Sequence, residues 1–216
     1  MKNLIKPFFA IALAAVTFTS CMKNDDPIDN TEEYRKIEQR VDSVLTKQKV
    51  AIEAYVQNEL LNAVEDTVTI NLTYLDKVVK RGIWYQIDAE PTDDSFEYEV
   101  TSSGYTIPNA KVKYSVKNLE GTTTYKEDTA GSSYVLGGSN ANPSVFNQVW
   151  QSSFYPYSID YNGNTMYPKG LTKEGLKKGS KITVVTPSIW AFDTQNVGDI
   201  PANTPLVYEF EVVEIN

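Results

Sequence analysis

From Asn30 to Asn62, apolar side chains recur every three or four positions: Tyr34, Ile37, Val41, Val44 and Leu45, then Ile52, Tyr55 and Val56. That period follows the turn of an α-helix and predicts a long helix, with Asn30 and Glu33 spaced as a capping box at its start. The apolar stripe reads as a packing face, with a dimer seam or a spacer as the functional alternative. It runs for too few heptads to make a coiled coil. Past the helix the period changes to two. Val68, Ile70, Leu72 and Tyr74 alternate, and Ile83 to Ile87, Phe96 to Val100, Val112 to Val116, Ser133 to Leu136, Lys181 to Val185 and Pro205 to Ile215 read as further strands. A second, short helix is predicted from Leu171 to Lys178, stopped by Gly179. Several strands with one short helix before the last two predict an α+β domain: an antiparallel sheet with that helix on one face.

The N-terminus changes the picture of where this domain sits. Lys2 and Lys6 precede an apolar run, Pro7 to Phe18, too short for the roughly 20 residues that cross a bilayer. Phe18-Thr19-Ser20-Cys21 then reads as a lipoprotein cleavage site, with Cys21, the only cysteine, as the lipidated residue. Met22-Lys23-Asn24-Asp25-Asp26 resembles the surface-export tag of Bacteroidetes lipoproteins, which implies an outer-membrane location on the periplasmic or the cell-surface face. The predicted organisation is a signal peptide over 1–20, a tether over 21–29, the N-terminal helix over 30–62, a connecting segment over 63–81, and the main domain over 82–216. An aromatic-rich insertion occupies 138–169.

Charge and composition narrow the chemistry. The formal net charge is −8, and loss of Lys2 and Lys6 with the signal peptide makes it −10. So acidic a chain has no means of neutralising phosphates, so nucleic acid is not an expected partner; the membrane contact expected is through the lipid anchor. There is no histidine. That rules out a Ser-His-Asp triad, a Cys-His pair and imidazole-based metal binding, and no metal site is predicted. Lys177, Lys178 and Lys181 form a small basic cluster that reads as a solvated surface.

The C-terminal segment carries the most specific pattern. Ala191-Phe192-Asp193, then Ile200-Pro201-Ala202-Asn203 and Leu206-Val207-Tyr208-Glu209-Phe210-Glu211-Val212, resemble the closing signature of FKBP-type peptidyl-prolyl isomerases. The earlier blocks Val112-Lys113-Tyr114, Leu119-Glu120-Gly121, Leu136-Gly137 and Leu176-Lys177-Lys178-Gly179-Ser180-Lys181 follow in the family's order. The resemblance covers roughly residues 82–216 and implies an FKBP-like antiparallel sheet wrapped on a short helix. It also implies a water-poor aromatic pocket for a proline-containing or unfolded polypeptide, with no cofactor. Prolyl rotation fits a histidine-free protein, because a twisted amide is favoured by a dry pocket and well-placed donors without proton transfer.

Carried over position by position, the resemblance makes Tyr114, Phe192 and Tyr208 the catalytic candidates, and Ile200, Tyr125 and Trp150 the substrate-binding ones. Phe192 stands where the family has a Tyr that donates to the peptide carbonyl, and Asp193 where it has Gly. Tyr125-Lys126 replaces a Phe-Asp pair, which puts a base in place of the acid, and Ser132 stands where a wall aromatic is expected. For the pocket floor, Val145-Phe146 with Trp150 and Met166-Tyr167 with Leu171 are both open. An active prolyl isomerase or chaperone, a binding module that has lost turnover, and a carbohydrate-binding lipoprotein that stacks sugars on exposed rings are the functional readings.

Overall fold

The structure, a computed structural model, describes residues 30–101, 104–137 and 142–216. The expected signal peptide, Cys21 and the expected tether lie outside the described residues. Helix α1 spans Thr31–Glu59. Strands follow as β1 (Val64–Glu65), β2 (Thr69–Leu72), β3 (Lys77–Lys80), β4 (Trp84–Ala89), β5 (Val100–Thr101), β6 (Gly104–Tyr105), β7 (Asn109–Lys117) and β8 (Thr124–Val135). Helix α2 (Gln148–Phe154) comes next, then β9 (Ile159–Tyr161), β10 (Asn164–Met166), β11 (Lys181–Thr186) and β12 (Leu206–Ile215).

The main sheet has six strands in the order β1-β4-β11-β12-β7-β8, with every neighbouring pair antiparallel. The architecture is thus α+β, with a large antiparallel sheet, an N-terminal helix and one further helix, and the three smaller pairings are hairpins. The period-two pattern works as expected along β12. Leu206, Tyr208, Phe210 and Val212 enter the main core with α2, while Val207 joins Val185 under Ile52 and Val56 of α1. The sheet is therefore covered on both faces at one end of β11 and β12, which explains why those ends read as unbroken apolar runs. Farther along, the face turned away from the main core is polar. Glu211 sits between Lys113 at 3.1 Å and Lys181 at 2.9 Å, and Glu209 meets Lys117 at 2.7 Å. Glu211 is in register with both of its lysines and Glu209 is diagonal to Lys117, so the charged residues compensate one another across the strands. The basic cluster is paired in the same way, Lys177 with Asp94 at 3.0 Å.

Two expectations are corrected. No helix forms over Leu171–Lys178. Gly175 has a φ of +75°, and a Cβ on Gly170 would lie 1.7 Å from the Tyr155 carbonyl oxygen. The segment bends tightly around the end of α2, where Leu171 N–H donates to the Ser152 carbonyl and Leu176 N–H to that of Phe154. Its backbone satisfies the orphan carbonyls of a neighbouring helix instead of building its own. The short helix lies earlier, within the segment read as an aromatic-rich insertion. The alternation at Phe96–Val100 also yields only the two-residue β5, with Tyr98 fixed by its hydroxyl, which donates to the Leu176 carbonyl at 2.7 Å.

Candidate functional site: a ring cluster centred on Trp150

Helix α2 begins at Asn147, whose side-chain oxygen accepts from Val149 N–H at 3.0 Å. That is the usual N-cap bond. The same side chain's Nδ2 donates to the Tyr208 hydroxyl at 2.8 Å, tying the helix start to β12. Trp150 is thereby set against the sheet. Its ring centroid lies 4.7 Å from Phe210, 4.8 Å from Phe146, 5.1 Å from Tyr114, 5.4 Å from Tyr134 and 5.6 Å from Phe154. Tyr114 and Phe210 meet it nearly edge-on and Phe154 is stacked, the arrangements a ring quadrupole favours. The Trp150 indole N–H is buried without an acceptor among the described residues.

The predicted site residues do gather in one region. Tyr114, Tyr125, Trp150, Phe192, Ile200 and Tyr208 all belong to the main core or pack directly on it. They are buried in it, however, rather than lining an open hollow: Tyr208 is 0% exposed, Trp150 and Ile200 2%, and Phe192 8%. Tyr114 and Tyr125 are the half-buried members. Of the alternatives for the floor, Trp150 and Leu171 are both buried in the main core, Trp150 within the ring cluster, while Met166 lies on the β9–β10 hairpin. Burial of Trp150 also excludes sugar stacking on its faces. The open surface beside the cluster is a cleft of about 480 Å³ between α2 and the β5–β6 hairpin, lined by Phe146, Trp150, Tyr105, Tyr155, Leu136 and Ile107.

Sequence reasoning missed two members of the cluster. Between Val112, paired with Ser132, and Tyr114, paired with Asp128, the register of β8 slips through a bulge at Gly131, where φ is +81°. The slip brings Asp128 opposite Tyr114. Asp128 accepts from the Tyr134 hydroxyl at 2.8 Å and from Gly131 N–H at 2.8 Å. Asp128 and Tyr134 thus stand together beside Tyr114 at the edge of the ring cluster. The Gly in Ala-Gly-Ser-Ser was the available signal, because an isolated Gly within a strand pattern marks a bulge.

Electrostatics favour holding over proton transfer. Hydrogen bonds from the Ser132 and Tyr134 hydroxyls keep the Asp128 carboxyl below its ordinary range. Burial pushes the Tyr114 hydroxyl up, and the Asp128 charge adds to it. Burial likewise raises Tyr134, with its bond to Asp128 contributing, and raises Tyr208. The three phenols are neutral donors at physiological pH. Among the described residues no group of three or more carboxylates gathers in a way that could hold a metal ion.

No protein-family model matches the chain, and no curated protein matches it in sequence. Among solved structures, a peptidyl-prolyl cis-trans isomerase from Pseudomonas syringae pv. tomato is similar at 15% identity and a TM-score of 0.47, over 82% of this chain and 96% of that one. FkpA from Escherichia coli is similar at 18% identity and a TM-score of 0.47, over 84% of this chain. This chain spans 63% of FkpA's length. The N-terminal domain of FKBP42 from Arabidopsis thaliana is similar at 13% identity and a TM-score of 0.40, over 62% of this chain and 86% of that one.

Proposed function

We propose that this chain is a lipid-anchored, FKBP-like envelope protein that holds proline-containing or unfolded polypeptide segments, a chaperone-type binder with little or no prolyl isomerisation of its own. The observation that carries the reading is the convergence of rings from β7, β8, α2 and β12 on Trp150, with a cleft opening beside it that mixes aromatic and aliphatic side chains with Asn147 and Gln151. Apolar walls with a few polar groups suit a proline ring and the peptide bonds that flank it. Two features favour holding over turnover. Phe192 offers no hydroxyl to a twisted carbonyl, and Tyr208, Ile200 and Trp150 are already packed into the core. Transition-state stabilisation needs donors that engage only the twisted amide, and the buried rings offer it none. Lipid on Cys21 would hold the domain at the outer membrane.

The test is paired. A short X-Pro peptide is titrated against the protein while tryptophan fluorescence is followed, and its cis–trans relaxation is measured at the same protein concentrations. Saturable binding with a relaxation rate equal to that of buffer is expected. Strong acceleration of relaxation would replace the binder with an active isomerase, and absence of binding would reject both. For the anchor, Cys21→Ser should release the protein from the membrane fraction; a variant that still sediments with membranes rejects lipidation at that residue.

A further inference from the structure

The turn from Ser188 to Asn203 carries Phe192 and Ile200 into the main core, and the sheet pairs its base at Thr186 and Leu206. Just beyond that pairing, α1 bridges its two arms. Gln48 accepts from Ser188 N–H at 2.8 Å, and its Nε2 lies 2.9 Å from both the Ser188 hydroxyl and the Asn203 carbonyl. Within the turn, the Ser188 carbonyl accepts from Asp193 N–H at 2.8 Å, and the Asp193 carbonyl accepts from Asn203 N–H at 2.6 Å. The bonds form a closed circuit: Gln48, Ser188, Asp193, Asn203 and back to Gln48. Arg40, two helical turns before Gln48, pairs with the Asp193 carboxylate. Asp193 and Asn203 both have positive φ, +53° and +59°, a conformation side chains other than Gly seldom adopt unless their surroundings hold it.

We propose that Gln48 and Arg40 are positioning residues for the peptide site: through them α1 sets the turn that carries Phe192 and Ile200 into the core that also holds the ring cluster. The inference rests on the peptide-binding reading above. The same helical stripe continues to Ile52 and Val56, which are buried against Val185 and Val207. The helix is therefore anchored on the sheet by apolar contacts and reaches the turn with polar ones. Glutamine suits the role because one amide supplies both the acceptor for a buried N–H and the donors for a hydroxyl and a carbonyl.

The experiment uses the full chain as wild type, Gln48→Ala, Gln48→Glu and Arg40→Ala. Amide hydrogen exchange is read at Asp193 and Asn203, whose N–H groups close the circuit, and affinity is read with the X-Pro peptide. Gln48→Ala should speed exchange at both amides while leaving β11 and β12 protected, and weaken peptide affinity by roughly two- to tenfold per hydrogen bond lost. Gln48→Glu keeps the acceptor and loses the donors, so it should fall between wild type and Gln48→Ala at neutral pH and recover toward wild type as the carboxyl is protonated. Arg40→Ala should speed exchange at Asp193 more than at Asn203. Unchanged exchange in Gln48→Ala, or faster exchange with wild-type affinity, overturns the positioning role. If the wild type binds no peptide, the site itself is rejected and the positioning role with it, whatever the exchange data show.

Discussion

The two helices are held on the sheet by different physics. Helix α1 runs 29 residues and buries only Ile52 and Val56 fully; much of its grip is polar, through Arg40 and Gln48 to the turn, Glu38 to the Tyr74 and Leu75 amides at 2.7 and 3.0 Å, and Asp42 to Lys77 at 2.6 Å. Helix α2 runs 7 residues and buries five of them, Val149, Trp150, Ser152, Ser153 and Phe154. A helix of two turns has no stability of its own and exists because the core needs its side chains. A long amphipathic helix brings its own order and can be placed as a lever. The short helix therefore belongs to the fold, and the long one to the positioning of a loop.

The largest effect should come from Trp150→Ala. Truncating a buried aromatic costs about 3–5 kcal/mol, and here the cavity would open among five rings. Denaturant unfolding should show one cooperative loss for the whole domain. Ile52→Ala should cost about 2–5 kcal/mol by the same bookkeeping, at the low end because polar contacts still hold the helix. The loss should appear first in hydrogen exchange of α1, with β11 and β12 still protected. If Ile52→Ala and Trp150→Ala lower global stability equally and together melt every element, α1 is part of the core and the contrast between the helices fails.

That contrast also governs what the sequence discloses. Helix α1 is legible because its stripe repeats over many turns. Helix α2 is not, because Ser152 and Ser153 read as polar although both hydroxyls are spent on the Val149 carbonyl, at 3.2 and 2.7 Å. Asn147 was its only cap signal. Leu171 and Leu176 invited a helix that Gly175, at positive φ, prevents. For the candidate site, Phe192, Ile200 and Tyr208 were named through the resemblance of the closing signature, and all three lie in the main core. Asp128 and Tyr134 were not named, because a bulge displaces every partner beyond it and its position depends on tertiary pairing.

A sharper probe of how α2 is tied to the sheet is Tyr208→Phe. The ring and its packing on Phe210, 5.7 Å away, are retained while the hydroxyl that accepts from Asn147 is lost. One hydrogen bond contributes about 0.5–1.5 kcal/mol, so stability should fall by about 1 kcal/mol. Exchange at the Val149 amide, which depends on the same Asn147 side chain, should quicken. An unchanged Val149 amide would mean that the cap holds without its link to β12.

The smallest effect is on pH dependence, and it separates the cluster's rim from the α1 contacts. The Asp128 carboxyl lies below its ordinary value of 3.8 because the Ser132 and Tyr134 hydroxyls, together with backbone N–H groups, bond to its charged form. A carboxyl depressed in the folded state contributes stability that is complete above its unfolded value and is lost as pH falls through the folded one. Asp128→Asn should therefore make unfolding less steeply pH-dependent below about 3.8, with Asp93, Glu209 and Glu211 contributing to the slope that remains. All three are also depressed: Asp93 by hydrogen bonds from Ser95, Glu209 by Lys117 and Ser115 against its burial, Glu211 by Lys181 and Lys113. Because Asp128 reaches Trp150 only through Tyr134 and Tyr114, its protonation should shift tryptophan fluorescence before the far-ultraviolet helix signal, which α1 dominates. An acid transition in which the two signals move together, unchanged by Asp128→Asn, would show that the rim carboxylate does not order the ring cluster.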